Sequence, residues 1–318
     1  MGTALITGAT AGIGLELAWQ LAQAHHDLVL VARDRARLET VAEELRQFAG
    51  VGVQVLPADL SEPGDLARVA ERARVSQPDA DLPIAVAADA GTVIASPAAS
   101  PTGPATAAGP AGPATAAGPA ASPTGPPSDH LHTTAEVETR PIDLLVNNAG
   151  FAVGQDFVSG SIEQERRALA VMVSAVMELT HAALPGMVAR GHGAILNISS
   201  VTALTAMGTY AAHKAWVRTF TEGLVSELRG TGVTATVVNP GLTRTEFHER
   251  AGMDETAWPD VVWLRAEDVA RAALDAVRRG RVICTPSVRY RTANAVLRIA
   301  PRWFVRRVAG HGSARTQY

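Results

Sequence analysis

The sequence predicts an α/β protein built on a doubly wound parallel sheet, and three observations carry that prediction. Short apolar runs alternate with helical patterns through both halves of the chain. Several of those runs are continuously apolar, as strands covered on both faces require. A glycine-rich turn, Thr7-Gly8-Ala9-Thr10-Ala11-Gly12-Ile13-Gly14, separates the first run from the first helix.

Taken in order, Ala4-Leu5-Ile6 is a strand and Ile13 to Ala24 the helix that follows it. Leu28 to Ala32 is a buried strand, Arg35 to Phe48 a charged amphipathic helix, Val51 to Leu56 a third strand, and Leu66 to Arg74 another helix. The pattern resumes with strand Ile142 to Val146, a long helix within 161–190, strand Ala194 to Ile198 and helix 210–229. Strand Val233 to Val238, helix Glu267 to Arg278 and strand Arg281 to Cys284 complete it.

Between the halves the composition collapses. Residues 96–127 are nearly all Ala, Pro, Gly, Ser and Thr, and Gly103 to Ala111 recurs letter for letter as Gly112 to Ala120. Such a tract buries too little apolar surface to offset chain entropy, so 75–139 is expected to be a disordered low-complexity insertion. It follows a helix and precedes a strand, which puts it at the N-terminal edge of the sheet. Ligands bind at the opposite edge. The expected organisation is one domain from 1–74 and 140–288, the insertion, and a basic amphipathic segment, 289–318.

The chain has 318 residues, 47% hydrophobic and 19% charged, with net charge -3, which gives no reason to expect nucleic acid as a partner. One cysteine, Cys284, excludes an intramolecular disulfide framework and suits a reducing compartment. No basic leader with a cleavage site opens the sequence, and no apolar run approaches the roughly 20 residues that span a bilayer. The expected location is cytoplasmic.

The chemistry is concentrated in Tyr210-Ala211-Ala212-His213-Lys214, ten residues beyond Ser200 of the pair Ser199-Ser200. A phenol and an ammonium four positions apart share one helix face. A cation fixed there favours the phenolate, and a shift of three pKa units would need roughly 4 kcal/mol. A Tyr so tuned exchanges a proton with an alcohol oxygen. Gly8, Gly12 and Gly14, between strand and helix, fit a dinucleotide loop, where a helix N-terminus meets a pyrophosphate. No Lys-Ser/Thr follows, so this is no nucleotide-hydrolysing loop. After the second strand, Arg33 precedes Asp34. An Arg there binds a 2′-phosphate and a carboxylate repels it, so NADP(H) is favoured over NAD(H). Asp59, ending the third strand, is a candidate acceptor for the adenine amine or a carboxylate at a helix start.

With these residues the chain resembles the short-chain dehydrogenase/reductase family. Four motifs match in order: Thr7 to Gly14, Asn147-Asn148-Ala149-Gly150, the Ser pair with Tyr210 and Lys214, and Asn239-Pro240-Gly241-Leu242-Thr243. The resemblance implies a Rossmann-type fold, a nicotinamide cofactor, and carbonyl reduction or alcohol oxidation on a small molecule. It implies Tyr210 as acid/base, Lys214 as the group that lowers its pKa and bonds the nicotinamide ribose, and Ser200, rather than Ser199, on the substrate carbonyl. Ile13, Asn148, Pro240 and Thr243 would line the cofactor, and the family assembles as homodimers or homotetramers through helices 161–190 and 210–229. Two departures stand out. The Ser200–Tyr210 loop is shorter than in many relatives, and Met172 stands where many members carry a catalytic Asn. The different reading is a catalytically idle NADP(H)-binding sensor or interaction protein.

Other signals are weaker. His213 points to a different helix face from Lys214, so packing or solvent contact is expected of it; His25, His26 and His181 lack partners at ligand spacing, so no metal site is expected. Residues 289–318 hold seven Arg and no Asp or Glu, interleaved with Trp303, Phe304 and aliphatic residues. Docking over the substrate pocket or a subunit interface is favoured there over membrane contact. Met253, Trp258 and Trp263 follow Pro240-Gly241 where relatives place a lid, which points to a fairly apolar substrate.

Overall fold

Seven parallel strands form the centre of the molecule, in the spatial order Val53–Pro57, Asp27–Ala32, Thr3–Thr7, Leu144–Asn147, Gly193–Ile198, Val233–Val238 and Ile283–Cys284. The structure is a computed structural model that describes residues 2–75, 134–246 and 259–310. The chain divides into a unit of Met1–Asp81 with Leu131–Tyr318 and a second, Leu82–His130, which lies outside the described residues. In chain order the elements are β1 (Thr3–Thr7), α1 (Gly12–Gln23), β2 (Asp27–Ala32), α2 (Arg35–Ala49), β3 (Val53–Pro57), α3 (Pro63–Arg74), α4 (Thr134–Thr139) and β4 (Leu144–Asn147). There follow α5 (Ile162–Leu169), a π-helical turn (Ala170–Ser174), α6 (Ala175–Arg190), β5 (Gly193–Ile198) and α7 (Gly208–Glu227). The chain then forms β6 (Val233–Val238), β7 (Thr243–Arg244), β8 (Leu264–Arg265), α8 (Ala266–Arg278), β9 (Ile283–Cys284), α9 (Val288–Ile299) and α10 (Arg302–Val308).

Strand alternation divides the core between the two faces. Ala4 and Ile6 of β1 join Leu17 and Leu21 of α1, Leu38 and Leu45 of α2, and Val269 of α8. Leu5, between them, points the other way and joins Val69 of α3, Leu179 of α6 and Leu224 of α7. Both faces are covered, which is why these strands read as unbroken apolar runs. All parallel pairs leave their carboxyl ends on one edge, where the β1–α1, β4 and β5 loops meet.

Four features depart from the sequence expectation. Residues 134–139, assigned to the insertion, form helix α4; Val137 is fully buried and its carbonyl accepts from Arg72. Thr134 bonds the Val53 carbonyl at the start of β3, so this side of the insertion attaches at the N-terminal edge of the sheet. The tract 76–133 lies outside the described residues. Second, Ile162–Arg190 is long and apolar enough to cross a membrane, with mean hydropathy 1.5 over its best window, although the sequence alone suggested no such run. Half of that window is buried within the fold, which makes it a core helix. Third, β7 pairs with β8 in a separate two-stranded sheet. Fourth, α9 ends before Pro301, but the chain resumes as α10 and returns to Ala206, whose amide donates to the Ala309 carbonyl at 3.0 Å.

Candidate active site

The β1–α1 turn is shaped for close approach of a ligand to backbone. Gly8 and Gly12 have φ of +68° and +53°, a left-handed conformation that side chains disfavour. A Cβ on Gly14 would overlap the Gly8 carbonyl oxygen, so the helix starts tight against the turn. Asn148 holds this turn from the end of β4. Its Nδ2 donates to the Thr7 and Gly8 carbonyls at 3.0 and 3.2 Å. Thr7 Oγ1 in turn accepts from the Asn148 and Ala149 amides at 3.0 and 3.1 Å and donates to the Val146 carbonyl. Asn148 therefore lines the cleft while its amide shapes the glycine turn.

At the far end of the same cleft, Asp34 caps α2, its Oδ1 accepting from the Arg37 amide at 3.0 Å. Arg33 is exposed and lines the cleft beside Asp59. Asp59 Oδ1 accepts from the Ser61 amide and hydroxyl at 3.0 and 2.6 Å, and Oδ2 from Arg167 at 3.3 Å. Burial works to raise its pKa, but the Ser61 bonds and the Arg33 and Arg167 charges outweigh it and hold the carboxylate below its ordinary value. Arg37 forms a two-bond ion pair with Glu246, which joins α2 to the chain after β7.

The reactive end lies where β4, β5 and α7 meet. Ser199 is buried and donates to the Lys214 carbonyl at 2.7 Å, so its hydroxyl is spent on locking α7. Ser200 caps the short helical turn Val201–Leu204 and hydrogen-bonds the Tyr210 side chain. Lys214 is buried, and its Nζ donates to the Ile198 carbonyl at 2.9 Å, 5.7 Å from the Tyr210 ring centroid. Here the sequence expectation needs correcting. Burial pushes the Tyr210 phenol up to about 12, only partly offset by Ser200, and burial pulls Lys214 down to about 8. Desolvation is the largest cause of both shifts. Burial thus favours the protonated phenol at neutral pH.

Met172 occupies the π-helical turn and is buried. A Cβ on Gly150 would stand 3.3 Å from Lys214 Nζ and 3.4 Å from Met172 Sδ, so thioether and ammonium share one wall of the site. His213 is buried, and burial lowers its pKa, as befits a packing residue beside Glu165. Among the described residues no group of His, Cys, Asp and Glu could hold a metal ion.

All the predicted catalytic and cofactor-binding residues except Gly14 line one cleft of about 2180 Å³, which His213, Met172 and Trp263 do not reach. Ile13, Pro240 and Thr243 are among them, though Thr243 Oγ1 is occupied by the Gly241 carbonyl. The neighbouring Thr245 was missed; its Cγ2 stands 2.8 Å from where a Gly12 Cβ would be, so it faces the glycine turn directly. Spacing along an irregular loop gave no basis for choosing between the two threonines. Also missed was a buried amide chain, in which Asn147 donates to Thr180 and Asn197, and Asn197 to Thr221, joining β4, β5, α6 and α7 under the site. Trp263 is buried away from the cleft, while Met253 and Trp258 lie outside the described residues. The cleft is lined instead by Phe151, Val153, Phe157 and Val158 after β4 and by Tyr290 and Ala309 of the C-terminal segment. Tyr290 packs over Gly241, accepts from the Leu242 amide and donates to the Val262 carbonyl.

Known proteins share this fold. Residues 2–97 and 128–256 match the short chain dehydrogenase family. The NADP-dependent 3-hydroxy acid dehydrogenase YdfG of Escherichia coli is 37% identical over 141 residues, 41% of this chain; the chain thus spans a little over half, 57%, of that relative. The sulfoacetaldehyde reductase 2 of Chromohalobacter salexigens is 30% identical over 84% of both chains. A short-chain dehydrogenase from Sphingobium yanoikuyae, solved in complex with NADPH, superposes with a TM-score of 0.68 at 30% identity, covering 94% of each chain. Matched over most of its length in sequence and in fold, this chain belongs to the short-chain dehydrogenase/reductase family.

Proposed function

We propose that the protein is an NADP(H)-dependent oxidoreductase interconverting a carbonyl and a secondary alcohol, with Tyr210 as acid/base. The observation that carries this reading is the convergence of Ser200, Tyr210 and Lys214 in the cleft that begins at the glycine turn. The residues fit a dinucleotide: the crowding at Gly14 leaves only backbone where a pyrophosphate would meet the start of α1. Arg33 would take the 2′-phosphate. Asp34, committed to its cap, is less able to serve a ribose, which supports NADP(H) over NAD(H). YdfG and the Sphingobium enzyme point the same way by name and by bound NADPH.

The bound nicotinamide would supply hydride in reduction and accept it in oxidation. In reduction, the Ser200 hydroxyl and Tyr210 phenol both donate to the carbonyl oxygen, where negative charge develops. Tyr210 then gives its proton to that oxygen, and the Lys214 ammonium stabilises the phenolate left behind. The apolar wall of Phe151, Val153, Phe157 and Tyr290 favours a substrate with an apolar body. Exposed Leu169 and Met177 on the long helix support assembly through α5–α6 and α7.

The test is fluorescence titration with NADPH and with NADH, followed by turnover of a carbonyl panel. Tyr210→Phe is expected to lower kcat by about 10²- to 10⁴-fold while NADPH affinity is kept. Undiminished turnover in that variant would refute the assignment.

A further inference from the structure

Helices α9 and α10 close the cleft with one side and leave the other bare. Tyr290 and Ala293 of α9 line the substrate end, and Val305 of α10 is fully buried. On the outside, Ile299 is 85% exposed, Trp303 63% and Val296 53%, with Phe304 packed edge-on to Trp303 at 5.9 Å between ring centroids. Monomer surfaces seldom hold so many large apolar side chains together without a partner. The surrounding charge indicates which partner. Residues 288–310 contain six Arg and no Asp or Glu, in a chain whose net charge is -3. Arg298, Arg306 and Arg307 are exposed and, among the described residues, none of them forms an ion pair. A second copy laid face to face on this surface would set arginine against arginine. Tryptophan and aliphatic side chains ringed by arginine instead match the boundary between lipid headgroups and acyl chains.

We propose that α9 and α10 dock the protein on an anionic lipid bilayer, with Ile299, Trp303 and Phe304 entering the headgroup boundary and Arg298, Arg306 and Arg307 meeting lipid phosphates. The surface abuts the substrate end of the cleft, so the docked protein holds that end close to the lipid.

The test uses the full chain, sedimented with vesicles of phosphatidylcholine alone and of phosphatidylcholine mixed with phosphatidylglycerol. Sedimentation is expected only with the mixed vesicles, weakening as salt is raised. Each arginine near an anionic surface contributes about fivefold in partitioning, so the combined variant Arg298→Glu, Arg306→Glu, Arg307→Glu is expected to lose at least about a hundredfold. Trp303→Ser is expected to weaken binding without changing the thermal midpoint, which separates docking from folding. Failure to sediment with phosphatidylglycerol vesicles, or equal sedimentation of the combined variant, overturns the proposal. So does a chain that ignores vesicles yet changes from a larger to a smaller species by light scattering on Trp303→Ser, since the occupant is then a second copy.

Discussion

Asn148 is the residue whose substitution most directly tests how the glycine turn is built. Its Nδ2 bridges two consecutive carbonyls, Thr7 at 3.0 Å and Gly8 at 3.2 Å, in a half-buried setting. Asn148→Ala removes two neutral hydrogen bonds of about 1 kcal/mol each. A loss of about 2 kcal/mol lowers the thermal midpoint of a domain this size by about 4–8 °C. It weakens NADPH binding by at most about thirtyfold, the same energy converted to an equilibrium constant. Asn148→Asp goes further, because an ionised carboxylate has no hydrogen to offer and faces two carbonyl oxygens. Its folded-state pKa is therefore raised above the unfolded value near 3.9. The stability of that variant is fully present below about pH 4 and is lost as pH rises through the folded pKa. At about pH 8 it should melt below the alanine variant, and at about pH 5 the gap should narrow. Thermal unfolding and NADPH fluorescence titration at both pH values provide the readout. A wild-type melting curve for Asn148→Asp at pH 8 would refute the reasoning.

The remaining expectations concern the reactive end and the cofactor. Ser200→Ala is expected to slow turnover by about 10²- to 10³-fold, measured by steady-state kinetics, since it removes a donor to the developing oxyanion. Ser199→Ala should instead cost about 1 kcal/mol of stability, seen by denaturant unfolding, with turnover near wild type, because its hydroxyl holds the Lys214 carbonyl. Lys214, pulled down to about 8, carries its charge below that pH and loses it above, while Tyr210 at about 12 stays protonated. The kcat/KM for reduction should therefore be level at neutral pH and fall as pH rises through about 8; a profile rising across that range would contradict the assignment. Arg33→Ala should weaken NADPH about ten- to a hundredfold and leave NADH unchanged, as read from the two titrations.

The sheet was legible because its strands are buried on both faces. Leu28 to Ala32 and Ala194 to Ile198 need no tertiary information to be recognised as parallel strands. Gly8, Gly12, Gly14, Tyr210 and Lys214 were legible because their chemistry depends on local spacing: a turn that side chains would block and a pair sharing one face of α7. Helix α4 was hidden by its neighbours in sequence. Six residues are too few for a periodic signal, and what orders them is Val137 against the core and Arg72 on its carbonyl.

Residue types and their order determined the parallel α/β architecture and the glycine turn, and they pointed to Ser200, Tyr210 and Lys214 as the proposed reactive trio. Tertiary structure decided how those groups are charged and which hydroxyl is available. Whether an ammonium lowers a phenol depends on how far both are buried, and here desolvation is the largest influence on each. The resemblance preferred Ser200 to Ser199, and the fold supplies the physical reason, since the Lys214 carbonyl takes the Ser199 hydroxyl while Ser200 reaches Tyr210. Thr245 over Gly12, Arg37 with Glu246 and Tyr290 over Gly241 join positions far apart in the chain, and such pairings come into being only when the sheet brings its carboxyl ends to one edge.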